Sequence, residues 1–317
     1  MKLAPKFWLF PTLVFFLASY SPTCSGATLA EERSFEDCKA LAMKGDQVAQ
    51  VVLGYYFQKG LGVAKDETEA VKWYRKSAEQ GYSKAQFVLG TCINFGLGTA
   101  KDSIEAAKWY RKSADQGNES AQFSLGLCYF NGEGVGRDEV IAARWFSKSA
   151  EQGNAKAQFN LGQCYDKGLG VVKNDVEAFK WYRESAIQGN DYAQFNLGVC
   201  FRKGLGVARD DVEAVKWYRK AAEQGLAEAQ HNLGLCYAKG EGVAKDQVEA
   251  YAYWNLAGIT QETARKNLAI LEKGMVPEAV LMGQRRTKEL RTEIDGQLEN
   301  LESIRRAKEL EEIRKGA

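Results

Sequence analysis

The sequence predicts an all-α fold, an α/α solenoid of stacked helix pairs, and three observations predict it. The first is a repeat of fixed length. Trp73, Trp109, Trp145, Trp181 and Trp217 recur every 36 residues, and Cys92, Cys128, Cys164, Cys200 and Cys236 keep the same period, as do Gln50, Gln86, Gln122, Gln158, Gln194 and Gln230. The second is composition: of four prolines only Pro277 lies beyond Pro22, in a body rich in strong helix formers. The third is apolar spacing. Phe87, Gly90 and Ile93, with Leu89 beside them, and then Ala106, Trp109, Tyr110 and Ala114, step by three and four residues. Two short helices cannot bury such stripes alone, whereas a stack of them can.

Taken in order, residues 1–27 read as a signal peptide. Lys2 and Lys6 precede the apolar run Phe7 to Ala18, and Ser25-Gly26-Ala27 offers small residues at a cleavage site. The run is short for a transmembrane span, which needs about 20 residues. Cys24 follows Ser21-Pro22-Thr23, a poor lipobox. The expected localisation is therefore exported, periplasmic or secreted, with no integral membrane span after processing. The formal charge of +2 is supplied by Lys2 and Lys6, since residues 1–27 hold no Asp or Glu. The processed chain is neutral, which gives no electrostatic reason to expect nucleic acid as a partner.

Residues 28–45 read as an N-terminal capping helix: Phe35 to Met43, closed by Gly45, matches the second half of a unit. Six units follow over 46–258. In each, helix A runs as Ala85 to about Phe95 does and is ended by glycines such as Gly96 and Gly98. Helix B begins at Asp66, Asp102, Asn174, Asp210 or Asp246, with Glu three residues on, the pattern of a capping box. The third unit departs, with Ile141 at that spacing after Asp138. Gly81, Gly117, Gly153, Gly189 and Gly225 stop helix B. Mid-helix Gly54, Gly90, Gly126, Gly162, Gly198 and Gly234 cost about 1 kcal/mol each in helix propensity, so they are expected where helix B presses on helix A. Residues 259–317 close the chain with one helix over Gln261–Lys273 and a charged helical stretch from Pro277 to Lys315. There Leu290, Ile294, Leu298, Leu301 and Ile304 form a stripe that Gly296 interrupts. That tail packs back on the last repeat or self-associates as an oligomer.

The unit Ala-x-x-x-Leu-Gly-x-x-Tyr-x-x-Gly-x-Gly-Val, followed by Glu-Ala-x-x-Trp-Tyr-x-x-Ala-Ala-x-Gln-Gly, resembles the Sel-one-like repeat, a relative of the tetratricopeptide repeat. Ala264-Arg265-Lys266-Asn267 and Met275-Val276-Pro277-Glu278 are similar to the closing segment of bacterial members. The resemblance implies a right-handed superhelix that acts as an adaptor or scaffold for proteins or peptides. Cysteine-rich secreted members carry two bridged cysteines per repeat; this chain carries one, so that stapling is not implied. Equivalent helices pack about 8–10 Å apart, too far for a disulfide, and buried thiols acting as small hydrophobes are expected.

No catalytic, metal or cofactor set is expected, and the chain does not read as an enzyme. His231 is the only histidine, which removes His-based metal clusters and most nucleophile–base pairs. It occupies the slot of Phe87, Phe123, Phe159 and Phe195. The Gly-x-Gly-Val-x-Lys-Asp loop lacks the strand and the Gly-Lys-Ser/Thr of a phosphate cradle. The recurring tryptophans are assigned to the core. An exported hydrolase or peptidoglycan-acting protein is the alternative function, and it lacks a placeable nucleophile.

In tetratricopeptide-like solenoids helix A lines the concave face, so helix A positions that vary between copies are the candidate partner-binding residues. One row is Tyr55, Thr91, Leu127, Gln163, Val199 and Leu235; the next is Gln58, Asn94, Phe130, Asp166, Arg202 and Ala238. A third row holds Lys203 and Lys239 and turns basic toward the C-terminal copies, which suits an acidic or carboxylate-ended segment. His231 joins them as a groove-lining residue.

Overall fold

The computed structural model describes residues 35–316, with side chains described through Leu301 and at Ser303 and Ile304. The predicted signal segment, residues 1–27, and the start of the predicted capping region lie outside the described residues. Those described form fifteen helices and no strand. A capping helix α1 (Phe35–Met43) precedes six helix pairs. These are α2 (Gln47–Lys59) with α3 (Glu67–Glu79), α4 (Ser83–Phe95) with α5 (Ser103–Asp115), and α6 (Glu119–Asn131) with α7 (Glu139–Glu151). Then come α8 (Ala155–Lys167) with α9 (Asp175–Ile187), α10 (Asp191–Lys203) with α11 (Asp211–Glu223), and α12 (Ala227–Lys239) with α13 (Gln247–Ala257). Helices α14 (Glu262–Glu272) and α15 (Pro277–Gly316) close the chain. Helix A thus begins two residues before Ala85. Two compact units divide the chain within α7: one reaches Trp145 and includes residues from Ile304 on, the other is Phe146–Ser303.

The helix ends obey local chemistry. Asp66, Asp102, Asn174, Asp210 and Asp246 each accept a backbone N–H of the first turn of helix B, which satisfies donors the helix leaves open. Asp138 caps equally well through Ile141 N–H at 2.9 Å. The predicted reciprocal half of the capping box does not form. The N–H of Asp66 and of Asp102 donates instead to Phe57 O at 2.8 Å and to Ile93 O at 3.1 Å of the preceding helix A. Glu105 is thereby left to receive Arg75 at 3.0 Å and the Trp109 indole at 3.2 Å. Helix B ends in a Schellman motif: at Gly81, with φ of 95°, Gly81 N–H donates to Ala78 O and Tyr82 N–H to Ser77 O. Asn118, Asn154 and Asn190, not singled out from sequence, cap helix A in the same way that Asp46 does.

Within the first unit the core gathers Val71, Tyr74, Phe87, Leu89, Cys92, Trp109 and Tyr110. Within the second, Tyr218, Leu233, Cys236, Tyr253 and Leu256 pack with Leu290 and Ile294 of α15. The mid-helix glycines are where helix B comes closest. A Cβ on Gly54 would stand 2.6 Å from the Tyr74 ring, on Gly198 2.7 Å from Tyr218, and on Gly234 2.6 Å from Trp254. Cys38, Cys92, Cys128, Cys164, Cys200 and Cys236 are buried thiols outside any disulfide, and burial pushes the Cys92, Cys128 and Cys200 thiols up to about 12. Trp73, Trp109 and Trp145 are buried, whereas Trp181 and Trp217 are only half-buried. Lysines cover ring faces, with Lys112 at 4.1 Å over Trp109 and Lys220 at 4.1 Å over Trp217.

A polar ladder ties neighbouring repeats. In the first unit Gln86 donates to Ala78 O of the preceding repeat at 3.2 Å and accepts from Gln116 of its own at 2.8 Å, while Ser113 donates to Ser83 O at 2.6 Å. In the second, Gln194 donates to Ala186 O at 3.2 Å and accepts from Gln224 at 2.8 Å, and Ser185 donates to Ala155 O at 2.7 Å. These buried groups are therefore satisfied.

Gly296 does not interrupt α15, which continues through it. The first part of this helix packs back: Arg286 pairs with Glu249 at 2.8 Å, Asn255 donates to Thr287 at 3.4 Å, and Leu290 and Ile294 are buried. Further along, Leu298, Leu301 and Ile304 of the same stripe are exposed.

Candidate protein-interaction surface

The candidate residues other than His231, which lies in the first half of α12, occupy the last two turns of each helix A. Tyr55, Gln58, Asn94, Leu127, Phe130, Gln163, Asp166, Arg202 and His231 are half-buried, and Lys203 and Lys239 are exposed. Thr91 departs from the expectation. It is 3% exposed, donates to Phe87 O at 2.9 Å and accepts from the Tyr110 hydroxyl at 3.4 Å. It is engaged inside its own repeat and presents nothing to a partner.

The phenols of helix B explain part of this pattern. Each ring lies on the mid-helix glycine, and its hydroxyl emerges beside the candidate rows. Tyr74 donates to Gln58 at 3.0 Å, and Tyr110 to Thr91. The buried hydroxyls of Tyr182 and Tyr218 have no hydrogen-bond partner. Asp166 lies beside the first, and Arg202 and Asn232 beside the second. Trp254, in the equivalent slot, donates its indole N–H to His231 O at 3.1 Å. Sequence reasoning treated these aromatics as core alone; the change from Tyr to Phe146 to Trp254 along one column was the signal that their polar ends differ.

Charge on the C-terminal rows is more balanced than the lysines suggest. Arg202 forms an ion pair with Glu241 at 3.7 Å, and Lys239 reaches the same carboxylate at 3.7 Å. Burial and then the Arg202 charge hold the His231 imidazole below its ordinary value. Its Nδ1 is buried and without a partner. Burial, and next to it the Glu228 charge, raises the Asp191 carboxyl against backbone hydrogen bonds that lower it.

Among the described residues no group of three or more His, Cys, Asp or Glu side chains could hold a metal ion, and no helix is long and apolar enough to cross a membrane.

The Sel1 repeat matches six times without a break, at 47–82, 83–118, 119–154, 155–190, 191–226 and 227–258. The chain belongs to the Sel1 repeat family. Solved structures agree with that assignment. This Sel1 repeat protein is 36% identical to c5321, a protective antigen of uropathogenic Escherichia coli strains displaying an SLR fold, with a TM-score of 0.77 over 85% of this chain and 58% of that one. It thus spans less than two thirds of that relative's length. It is 33% identical to a Sel1 repeat protein from Oxalobacter formigenes, with a TM-score of 0.63 over 70% of this chain and 90% of that one. No curated protein matches the chain. Sel1 repeat proteins are generally protein-interaction scaffolds rather than enzymes, and the stacked pairs described above are the α/α solenoid fold of the family.

Proposed function

We propose that this chain is an exported scaffold that holds a protein partner on its helix A surface, the concave side of the repeat stack. The observation that carries the reading is a division of labour within helix A. In α10 the packing is done by Ala193, Gln194, Leu197, Gly198 and Cys200, whose residue types recur in every repeat from the second on. The positions between them change from copy to copy, and in α10 they are half-exposed. Residues freed from packing are those on which partner choice can act. Export rests on the signal-like segment 1–27.

The test is capture from a cell-envelope extract with the immobilised chain, followed by row variants. A retained protein should be lost with Leu127→Asp and Gln163→Ala combined, and kept with Lys108→Ala on the exposed side of α5. Loss with the helix B variant alone, or retention regardless of the row, would reject this surface. N-terminal sequencing of the protein recovered from cell fractions checks export: a chain beginning near residue 28 outside the cytoplasm supports it.

Self-association is a second property, favoured by the exposed Leu298, Leu301 and Ile304 in line with buried Leu290 and Ile294. Light scattering should report a smaller species for Leu298→Lys with Leu301→Lys; an unchanged mass removes this reading.

A further inference from the structure

We infer that a cavity walled by α11, α13 and α15 binds a small zwitterion with an apolar side chain, a free α-amino acid. The site shares no residue with the candidate rows of helix A and is independent of the partner surface. Its volume is about 270 Å³, just under the range that holds drug-sized ligands. One wall is apolar, made by Ala222 of α11 and by Leu290 and Ile294 of α15, all buried. Tyr237 and Tyr253 add two nearly parallel rings, 5.9 Å apart and 7° from coplanar.

Docking of α15 redistributes the charges around this cavity. In the first repeat Arg75 pairs with Glu105, thirty residues on, and the Trp109 indole donates to the same carboxylate. The matching residues at the end of the array are Arg219, Glu249 and Tyr253. A tyrosine there removes the indole donor, and Arg286 of α15 takes Glu249 at 2.8 Å. Arg219 turns instead to the Tyr237 hydroxyl at 2.8 Å. Arg111 does the same with Tyr129, and the residue thirty on from it is Ile141, which offers no carboxylate. Arg219 thus has no carboxylate partner among the described residues, and a guanidinium has further donors to give. Arg286 is fully engaged, since Glu293 at 3.1 Å and Glu289 at 3.3 Å join Glu249. Glu223, one turn along α11 from Arg219, also lines the cavity. It is half-buried and has no hydrogen-bond or ion-pair partner among the described residues. Residues spaced by four on a helix can reach one another, yet these two do not pair.

One uncommitted guanidinium and one uncommitted carboxylate, a helical turn apart beside an apolar wall, select the ligand. A plain anion would meet the carboxylates around Arg286, and a plain cation would leave Arg219 unanswered. An α-amino acid carries both charges on a single carbon. Its carboxylate accepts from Arg219, its ammonium donates to Glu223, and its side chain lies on Leu290, Ile294 and the tyrosine rings.

Calorimetric titration of the full chain with L-leucine and with L-phenylalanine tests the site. At least one should bind saturably. Taking away either ligand charge, as in the N-acetyl derivative or the carboxamide, should weaken binding by about tenfold. Arg219→Ser and Glu223→Gln should each weaken the free amino acid by about tenfold. The pairing of variant and ligand gives the sharper reading. Glu223→Gln should leave the N-acetyl derivative unaffected, and Arg219→Ser should leave the carboxamide unaffected, because each ligand already lacks the group that the variant no longer meets. Ser147 and Ile187 hold the equivalent positions in other repeats, so both variants should fold, and an unchanged urea midpoint verifies it. Saturable binding of neither amino acid, a derivative that binds as tightly as its parent, or folded variants that bind like the native chain would overturn the inference.

Discussion

The helix pairs α4/α5 and α10/α11 share a packing set and differ in what lies around it. Both helices A bury Ala, Gln, Leu, Gly and Cys at matching positions. Helix α4 also buries Phe87, Val88, Thr91 and Ile93. In α10 the same four slots hold Phe195, Asn196, Val199 and Phe201, all half-buried. Five residues therefore suffice to seat a helix A in the stack. The other slots can be closed, as in the second repeat, or half-open, as in the fifth.

The tryptophans break this comparison most forcefully. Trp109 is buried, with its indole on Glu105, whereas Trp217 is half-buried. Trp109→Ala should cost about 3–5 kcal/mol and Trp217→Ala clearly less, as read by urea unfolding; equal losses would deny the difference between the pairs. Exchange at the next slot sharpens it. Val88→Asn places an amide where the valine is 7% exposed and should cost about 2–3 kcal/mol, while Asn196→Val should stay within about 0.5 kcal/mol. The glycines give a smaller contrast. An alanine at Gly198 meets the Tyr218 ring at 2.7 Å, against 3.0 Å for Gly90 and Tyr110. Overpacking should outweigh the helix-propensity gain at Gly198, a net loss of about 1 kcal/mol, and roughly cancel it at Gly90.

Alkaline pH should affect both pairs alike. Thiols raised from 9.0 to about 12 in the fold bind their protons more tightly folded than unfolded. Their contribution is complete below pH 9 and is lost as pH rises toward 12. The urea midpoint should therefore fall above pH 9, and a thiol reagent at pH 8 should label the buried cysteines only on unfolding.

The period, the limits of helix B, its capping acids and the buried thiols were legible in the sequence because each is a local property repeated from copy to copy. The rest depended on which groups meet in space. Glu105 reads as the far half of a capping box, yet it binds Arg75 of the preceding repeat, because the Ile93 carbonyl has already taken the Asp102 N–H. Thr91 looks as free to vary as Gln163, yet the Tyr110 hydroxyl draws it into the core. Gly296 reads as a break, but one glycine costs about 1 kcal/mol, too little to end so long a helix. The rows of Gln58, Asp166 and Arg202 were visible as variable positions; that buried phenols reach toward them from behind was not.

The glutamine and serine bonds recur with a constant offset from one repeat to the next. Gln194 and Gln230 receive the same treatment, each donating to an alanine carbonyl in the last turn of the previous repeat's helix B, Ala186 or Ala222. Excising residues 191–226 would bring Gln230 to Ala186 with every joint matched. The array is thus a modular ruler whose length evolution can change by whole notches, adding or deleting a stretch of binding face without redesigning any seam.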